Sequence, residues 1–121
     1  ADELLLEQRS LSADAVASHL QVSLAEVAER SIHGHPQQLY GFLSRSNDRL
    51  YPQWQFTDVA TVPDLAELLS AIGGGVHPVS LDQFMLRPNV DLEVNGEELS
   101  PREWLVSGAD PEPVILIAAD L

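Results

Sequence analysis

The stretch SADAVASHLQVSLAEVAERSI, Ser12 to Ile32, decides how the rest of the chain reads. Ser12 and Ser23 are both strong helix caps, and Glu26 follows Ser23 at the capping-box spacing. Val16, Ala17 and Leu20 recur with helical period after the first cap. Leu24, Val27 and Ala28 do so after the second. The spacing predicts one helix from Ser12 to about Leu20 and another from Ser23 to about Ile32, joined by the tight turn Gln21-Val22-Ser23. Two short helices so joined read as a helix-turn-helix. Ala17, Val22 and Val27 fall where that motif packs its helices. Gln21 occupies the turn position where glycine is usual. Upstream, Ala1 to Arg9 is leucine-rich and reads as a short lead-in helix.

Downstream lies HPQQLYGFLSRSNDRLYPQWQF, His35 to Phe56. It holds a β-prone run from Leu39 to Leu43, a polar turn from Ser44 to Asp48, and a second run from Leu50 to Phe56. Leu50, Trp54 and Phe56 share one parity and are expected to face a core, with Tyr51, Gln53 and Gln55 opposite. A hairpin directly after a helix-turn-helix is the layout of a winged module. Arg45 and Arg49 sit at or beside its tip, where phosphate contacts are usually made.

The remainder reads as helices. Pro63 opens one carrying Leu65, Leu68, Leu69 and Ile72 at i, i+3, i+4 and i+7, stopped by Gly73 to Gly75. Ser80-x-x-Gln83 opens the next, with Leu81, Phe84 and Met85 apolar, ending before Pro88. Asn95-Gly96 could turn a hairpin, but its acidic flanks favour a loop. In LSPREWLVSGADPEPV, Ser100 caps a helix from Pro101 to about Ser107, with Glu103 reaching back and Gly108 stopping it. Asp110-Pro111 then starts a last helix through VILIAADL. The expected core includes Leu65, Leu68, Leu69, Phe84, Leu86, Trp104, Leu105 and Ile117.

The chain has 121 residues, 45% of them hydrophobic, enough for one domain or two small lobes sharing a core. Net charge is −13, with no lysine. Residues 1–8 hold three acids and no base. Residues 9–56 balance four arginines against four acids, and hold His19, His33 and His35. Residues 57–121 hold twelve acids and two arginines. Such asymmetry suggests two surfaces with different tasks, although acidity also serves solubility alone. There is no cysteine, which fits a reducing compartment. No apolar run approaches the ~18 residues of a membrane span, and no signal-peptide pattern is present. The first residue is Ala1, which leaves open a native start upstream.

Nothing frames an active site. The GGG run lacks the Lys-Ser/Thr of a phosphate loop. No nucleophile elbow surrounds a serine. Glu97-Glu98 have no apolar setting to raise a pKa. His33-x-His35 has no Cys or close carboxylate to complete a metal site. Neither an enzyme, a metal nor a cofactor is expected.

Four segments in order, RLYPQWQF, VPDLAELLSAI, HPVSLDQFMLRPNVDL and LSPREWLVSGADPEPVILIAADL, resemble the Xre/MbcA/ParS group of antitoxin-type proteins. That family shows an aromatic P-x-x-Q-F strand, a helix, an F-L-x-x-P-N-x-x-L segment, then an S-P-x-x-x-L-x-x-G helix and a final apolar helix. The likeness runs from about Ser12 onward. It implies a DNA-binding N-terminal part and a C-terminal part that neutralises an NAD-consuming RES-type toxin. It also implies autoregulation of the operon, a homodimer and a cytoplasmic bacterial setting. A cleft that holds a dinucleotide pyrophosphate should be electropositive. An acidic terminal helix bearing Asp110, Glu112, Asp120 and Leu121 could therefore dock over it.

The expectation is thus a mainly α chain in two parts. Residues 1–56 form a helix-turn-helix with a short wing-like β-hairpin. Residues 57–121 form an acidic helical unit for toxin binding or dimerisation. Operator DNA would meet Ser23, Glu26, Arg30 and His33 on or beside the second helix, with Arg45 and Arg49 on phosphates. Two other readings stay open: a stand-alone helix-turn-helix transcription regulator, and a protein-interaction module that has lost DNA affinity.

Overall fold

Ser12 performs two structural tasks. In the computed structural model, which describes residues 2–121, it ends a short strand and caps the helix that follows. Helix α1 spans Asp2–Gln8, as the lead-in helix requires; Ala1 lies outside the described residues. Strand β1 (Ser10–Ser12) runs into α2 (Ala13–Leu20), and the Ser12 hydroxyl accepts the Ala15 N–H at 3.2 Å. Ser23 does the same for α3 (Leu24–Arg30), accepting from Glu26 N at 3.1 Å. Between them Gln21 adopts the left-handed conformation at φ 57°, which is why glycine is favoured there.

Strands β2 (Phe42–Leu43) and β3 (Arg49–Pro52) form a hairpin, and β1 adds to its other side. The antiparallel sheet has the order β1-β3-β2, with Leu11 opposite Tyr51 and Ser12 opposite Leu50. No periodic pattern announces β1, since its three residues are defined by a partner some forty positions away. The expected parity of the second run does not hold. Strand β3 ends at Pro52, and Gln53–Gln55 coil into a 3₁₀ turn that resets which side faces inward. Tyr51 and Gln55 are therefore buried along with Trp54 and Phe56, while Leu50 is only half-buried.

The chain continues through α4 (Leu65–Ala71), α5 (Pro78–Leu86), a hairpin of β4 (Glu93–Val94) and β5 (Glu97–Glu98), α6 (Pro101–Val106) and α7 (Glu112–Ala118). The protein is mainly helical with a small three-stranded antiparallel sheet. Three expectations are corrected here. Helix α4 begins at Leu65 rather than Pro63, because Asp64 turns left-handed at φ 63°. Helix α5 begins at Pro78 rather than Ser80: proline suits the first helical position, and the His77 ring accepts the Val79 N–H at 3.1 Å. Asn95 and Gly96 both have positive φ, so turn chemistry prevails over the acidic flanks and a hairpin forms. Ser100 and Glu103 close the capping box in both directions, and Gly108 ends the run at φ 82°.

Two apolar clusters hold these elements. One gathers Val16, Val27, Leu39, Tyr51 and Phe56 between α2, α3 and the sheet. The other gathers Trp54, Leu68, Leu81, Met85, Leu105 and Val114 with their neighbours. Polar bonds join them. Arg9 pairs with the buried Asp82 at 2.7 Å, and Arg102 donates to the Trp54 and Phe56 carbonyls at 2.9 and 2.7 Å. Of the expected core, Leu65, Leu68, Leu69 and Leu105 are buried. Phe84, Trp104 and Ile117 lie half-buried against the cluster. Leu86 is 40% exposed, because α5 turns it outward at its last residue.

Trp104 also donates its indole N–H to the Asp110 carbonyl at 2.7 Å, tying α6 to the start of α7. Because it is half-buried, Trp104→Ala is expected to cost about half of the ~3–5 kcal/mol typical of a fully buried aromatic. Thermal denaturation of the variant checks this; an unchanged melting temperature would contradict the packing.

Candidate nucleic-acid interface

Helix α3 is anchored by one side and open on the other. Val27 is fully buried. One turn later the Ser31 hydroxyl lies 2.7 Å from both the Val27 carbonyl and the Tyr51 hydroxyl. When Ser31 gives its single proton to Val27, Tyr51 supplies the proton of the other bond. This latch fixes α3 against β3. The outward side carries Leu24, Ala25, Ala28 and Glu29, and Ile32 continues that side in the turn just past the helix, which ends at Arg30 and so falls short of the expected Ile32; all five are exposed.

The β2–β3 hairpin is equally well fixed. The Ser44 hydroxyl accepts from Ser46 N and Asp48 N, and Ser44 N donates to Asp48 O at 2.8 Å. Asn47 takes the positive φ this tight turn demands, 65°. Gly41 lets the hairpin close. A Cβ there would meet the Arg49 stem at 3.2 Å and the Tyr51 ring at 3.1 Å. The Arg49 stem thus lies across bare backbone, and a shallow cleft beside it is lined by Leu24, Ala28, Ile32 and Tyr51.

The structure sets Arg49 beside α3, which carries Ser23, Glu26 and Arg30 with His33 just beyond it, and turns Arg45 away. Ser23 is exposed at the start of α3, and His33 is exposed in the turn after it. Glu26 and Arg30 flank Val27 and are half-buried, and Arg30 Nε donates to Gln37 O at 2.8 Å. Arg45 turns toward α1, where its backbone N–H and guanidinium reach Glu7 at 3.2 and 3.5 Å. The outward row therefore differs from the set expected on this helix. Leu24 and Ala28 share Val27's period but face solvent, and Ile32 is 63% exposed. His35 Nδ1 accepts the Gln37 N–H. Among the described residues no three His or acidic side chains gather as a metal site.

At the other end of the chain, Asp110 Oδ1 accepts the Glu112 N–H at 3.0 Å, a local turn bond; the N-cap of α7 is Pro111, which has no side-chain cap bond, so Asp110 is not the cap expected of it. Glu112, Asp120 and Leu121 are exposed, as is Leu116 at 62%. These residues cluster at the two ends of α7, roughly 10 Å apart along a helix of seven residues.

The largest cleft lies elsewhere, at the junction of the two apolar clusters, lined by Arg9, His19, Trp54, Asp58, Asp82 and Arg102. Its side chains serve the fold. Arg9 holds Asp82, Arg102 holds two carbonyls, and His19 Nε2 bonds the Thr57 carbonyl at 2.6 Å. Sequence reasoning did not single out Arg9, Arg102 or Gln55, because each is paired with backbone or a side chain far along the chain.

No family model matches the chain, and no curated protein matches it. Among solved structures, the chain is similar to the NMR structure of Rv2175c, with a TM-score of 0.65 and 22% identity. The match covers 92% of this chain and 79% of that one. At that identity the likeness is one of fold alone.

Proposed function

We propose that residues 1–56 are a winged helix-turn-helix and that the protein is a non-enzymatic, DNA-binding regulator. The observation that carries this reading is topological. A lead helix, a strand, two helices across a left-handed turn and a hairpin follow in order, and the Ser31–Tyr51 bond with the cleft shared by Leu24, Ala28 and Arg49 sets the hairpin beside α3. In such a module the second helix enters the major groove, and the hairpin lies against the backbone. Helix α3 would meet base edges, with Arg49 on a phosphate; Arg45 would have to leave Glu7 to make a second such contact. Residues 9–56 carry no net charge and residues 57–121 carry −10, so one copy binds DNA weakly. Useful affinity then needs two copies, and the homodimer expected from the sequence belongs to this proposal, as does a cytoplasmic setting. No helix of the described residues is long and apolar enough to cross a membrane. Footprinting on the DNA upstream of its own reading frame tests the reading. Protection at low salt is expected, and its absence there would contradict it.

A second proposal rests on α7. Leu116 is 62% exposed beside Asp120 and Leu121, with Asp110 and Glu112 at the other end. An apolar residue flanked by acids suits a basic protein cleft, which supports the type II antitoxin reading with a RES-type toxin as partner. Asp120→Lys should leave the fold intact yet slow association with such a partner, most visibly at low salt. The adjacent gene's product is the natural candidate. If the variant associates as fast as the parent, the toxin would engage another surface.

A further inference from the structure

The outward row of α3 is unusual for a helix that reads DNA. Leu24, Ala25, Ala28 and Ile32 offer no hydrogen-bond donor, and Glu29 can only accept. The common routes to guanine and adenine, through Arg, Lys, Asn or Gln, are missing from this face. One base feature in the major groove is read without hydrogen bonds: the C5 methyl of thymine. We infer that α3 recognises thymine-rich duplex DNA through its methyl groups, an inference that rests on the DNA-binding reading above.

Three observations support it. Leu24 and Ile32 are 52% and 63% exposed, so both can bury new apolar surface on binding. Leu24 opens α3 and Ile32 lies two residues past its last helical residue, Arg30, so the pair brackets a helix of seven residues, ~10 Å long, about three base pairs at ~3.4 Å each. Arg49 lines the same cleft, which supplies a cation at the edge of the apolar row where a phosphate would lie. Glu29, on the same face, adds discrimination: a carboxylate there accepts from cytosine or adenine amino groups and repels the guanine acceptors.

The test uses the full chain and duplexes selected from a random pool at low salt. Each selected site is made twice, once with thymine and once with uracil, which lacks only the methyl. Each contacted methyl should be worth roughly fourfold, so two or more contacts weaken the uracil duplex about tenfold or beyond. In Leu24→Ser and Ile32→Ser, after melting curves verify folding, the thymine-to-uracil ratio should fall toward one. Equal binding of both duplexes by the parent would overturn the inference and leave the DNA-binding reading standing. Failure to bind any duplex would overturn both. A shift from dimer to monomer in Leu24→Ser would assign the row to contacts between copies, which also overturns the inference.

Discussion

Gln55→Glu is expected to cost about 3–5 kcal/mol near neutral pH, a large share of the ~5–15 kcal/mol that holds a domain together. Gln55 is fully buried. Its Oε1 accepts the Tyr40 N–H at 2.8 Å, and its Nε2 donates to the Tyr40 and Pro52 carbonyls at 2.7 and 3.1 Å. One side-chain amide thus completes the backbone bonding that β3 abandons when it coils after Pro52. Glutamate has the same shape but keeps only the bond from Tyr40 N. Its other oxygen would face two carbonyl oxygens with no donor between them. Both burial and that repulsion disfavour the carboxylate, so its pKa in the folded state rises above the ordinary ~4.3. A raised pKa fixes the sign of the pH dependence. The variant lies nearest the parent below about pH 4.3, where the acid is neutral and can donate to one carbonyl. The deficit grows as pH rises. Denaturant unfolding of both proteins at acidic and neutral pH measures the difference. Equal stability at neutral pH would show that this clamp does not form.

Leu68→Ala should have the next largest effect. Leu68 is fully buried in α4, among Leu81, Met85, Leu105 and Val114 of the larger cluster. Truncation loses transfer free energy and leaves a void in a packed site, at a typical cost of ~2–5 kcal/mol. For a chain of this size that lowers the melting temperature by roughly 8–20 °C. Leu86→Ala provides the control, because Leu86 is 40% exposed at the end of α5. It should lower the melting temperature by no more than a few degrees. Comparable losses in the two variants would contradict the assignment of which face of the helical unit is inside.

Features decided within a few residues were legible in the sequence. Ser12, Ser23 and Ser100 cap where expected, because a cap needs only its own hydroxyl and an N–H three positions on. The Gly108 stop is local in the same sense. Features decided by distant partners were not legible. Strand β1 exists because β3 lies beside it. The alternation from Leu50 to Phe56 failed because proline and the following 3₁₀ turn broke the period of two on which it relied. The candidate site divides along the same line. Arg49 is beside the hairpin tip, as turn position alone suggested. Nothing local indicates that Arg30 bonds Gln37 or that Arg45 turns to Glu7. Helical period grouped Leu24 and Ala28 with Val27, but period alone does not say where the buried stripe ends, and only Val27 faces the core.

The central claim is that α3 and the β2–β3 hairpin dock on duplex DNA. Fluorescence anisotropy with a labelled duplex, titrated across salt concentrations, tests it most directly. Each phosphate contact contributes about −0.9 to the slope of log affinity against log salt. With Arg45 turned to Glu7, Arg49 alone would give a slope of roughly −1 per copy, and Arg49→Ala should flatten it by about that amount. Measurable binding at low salt with that shallow slope is the expected result. No binding at low salt, or a slope unchanged in Arg49→Ala, would contradict it.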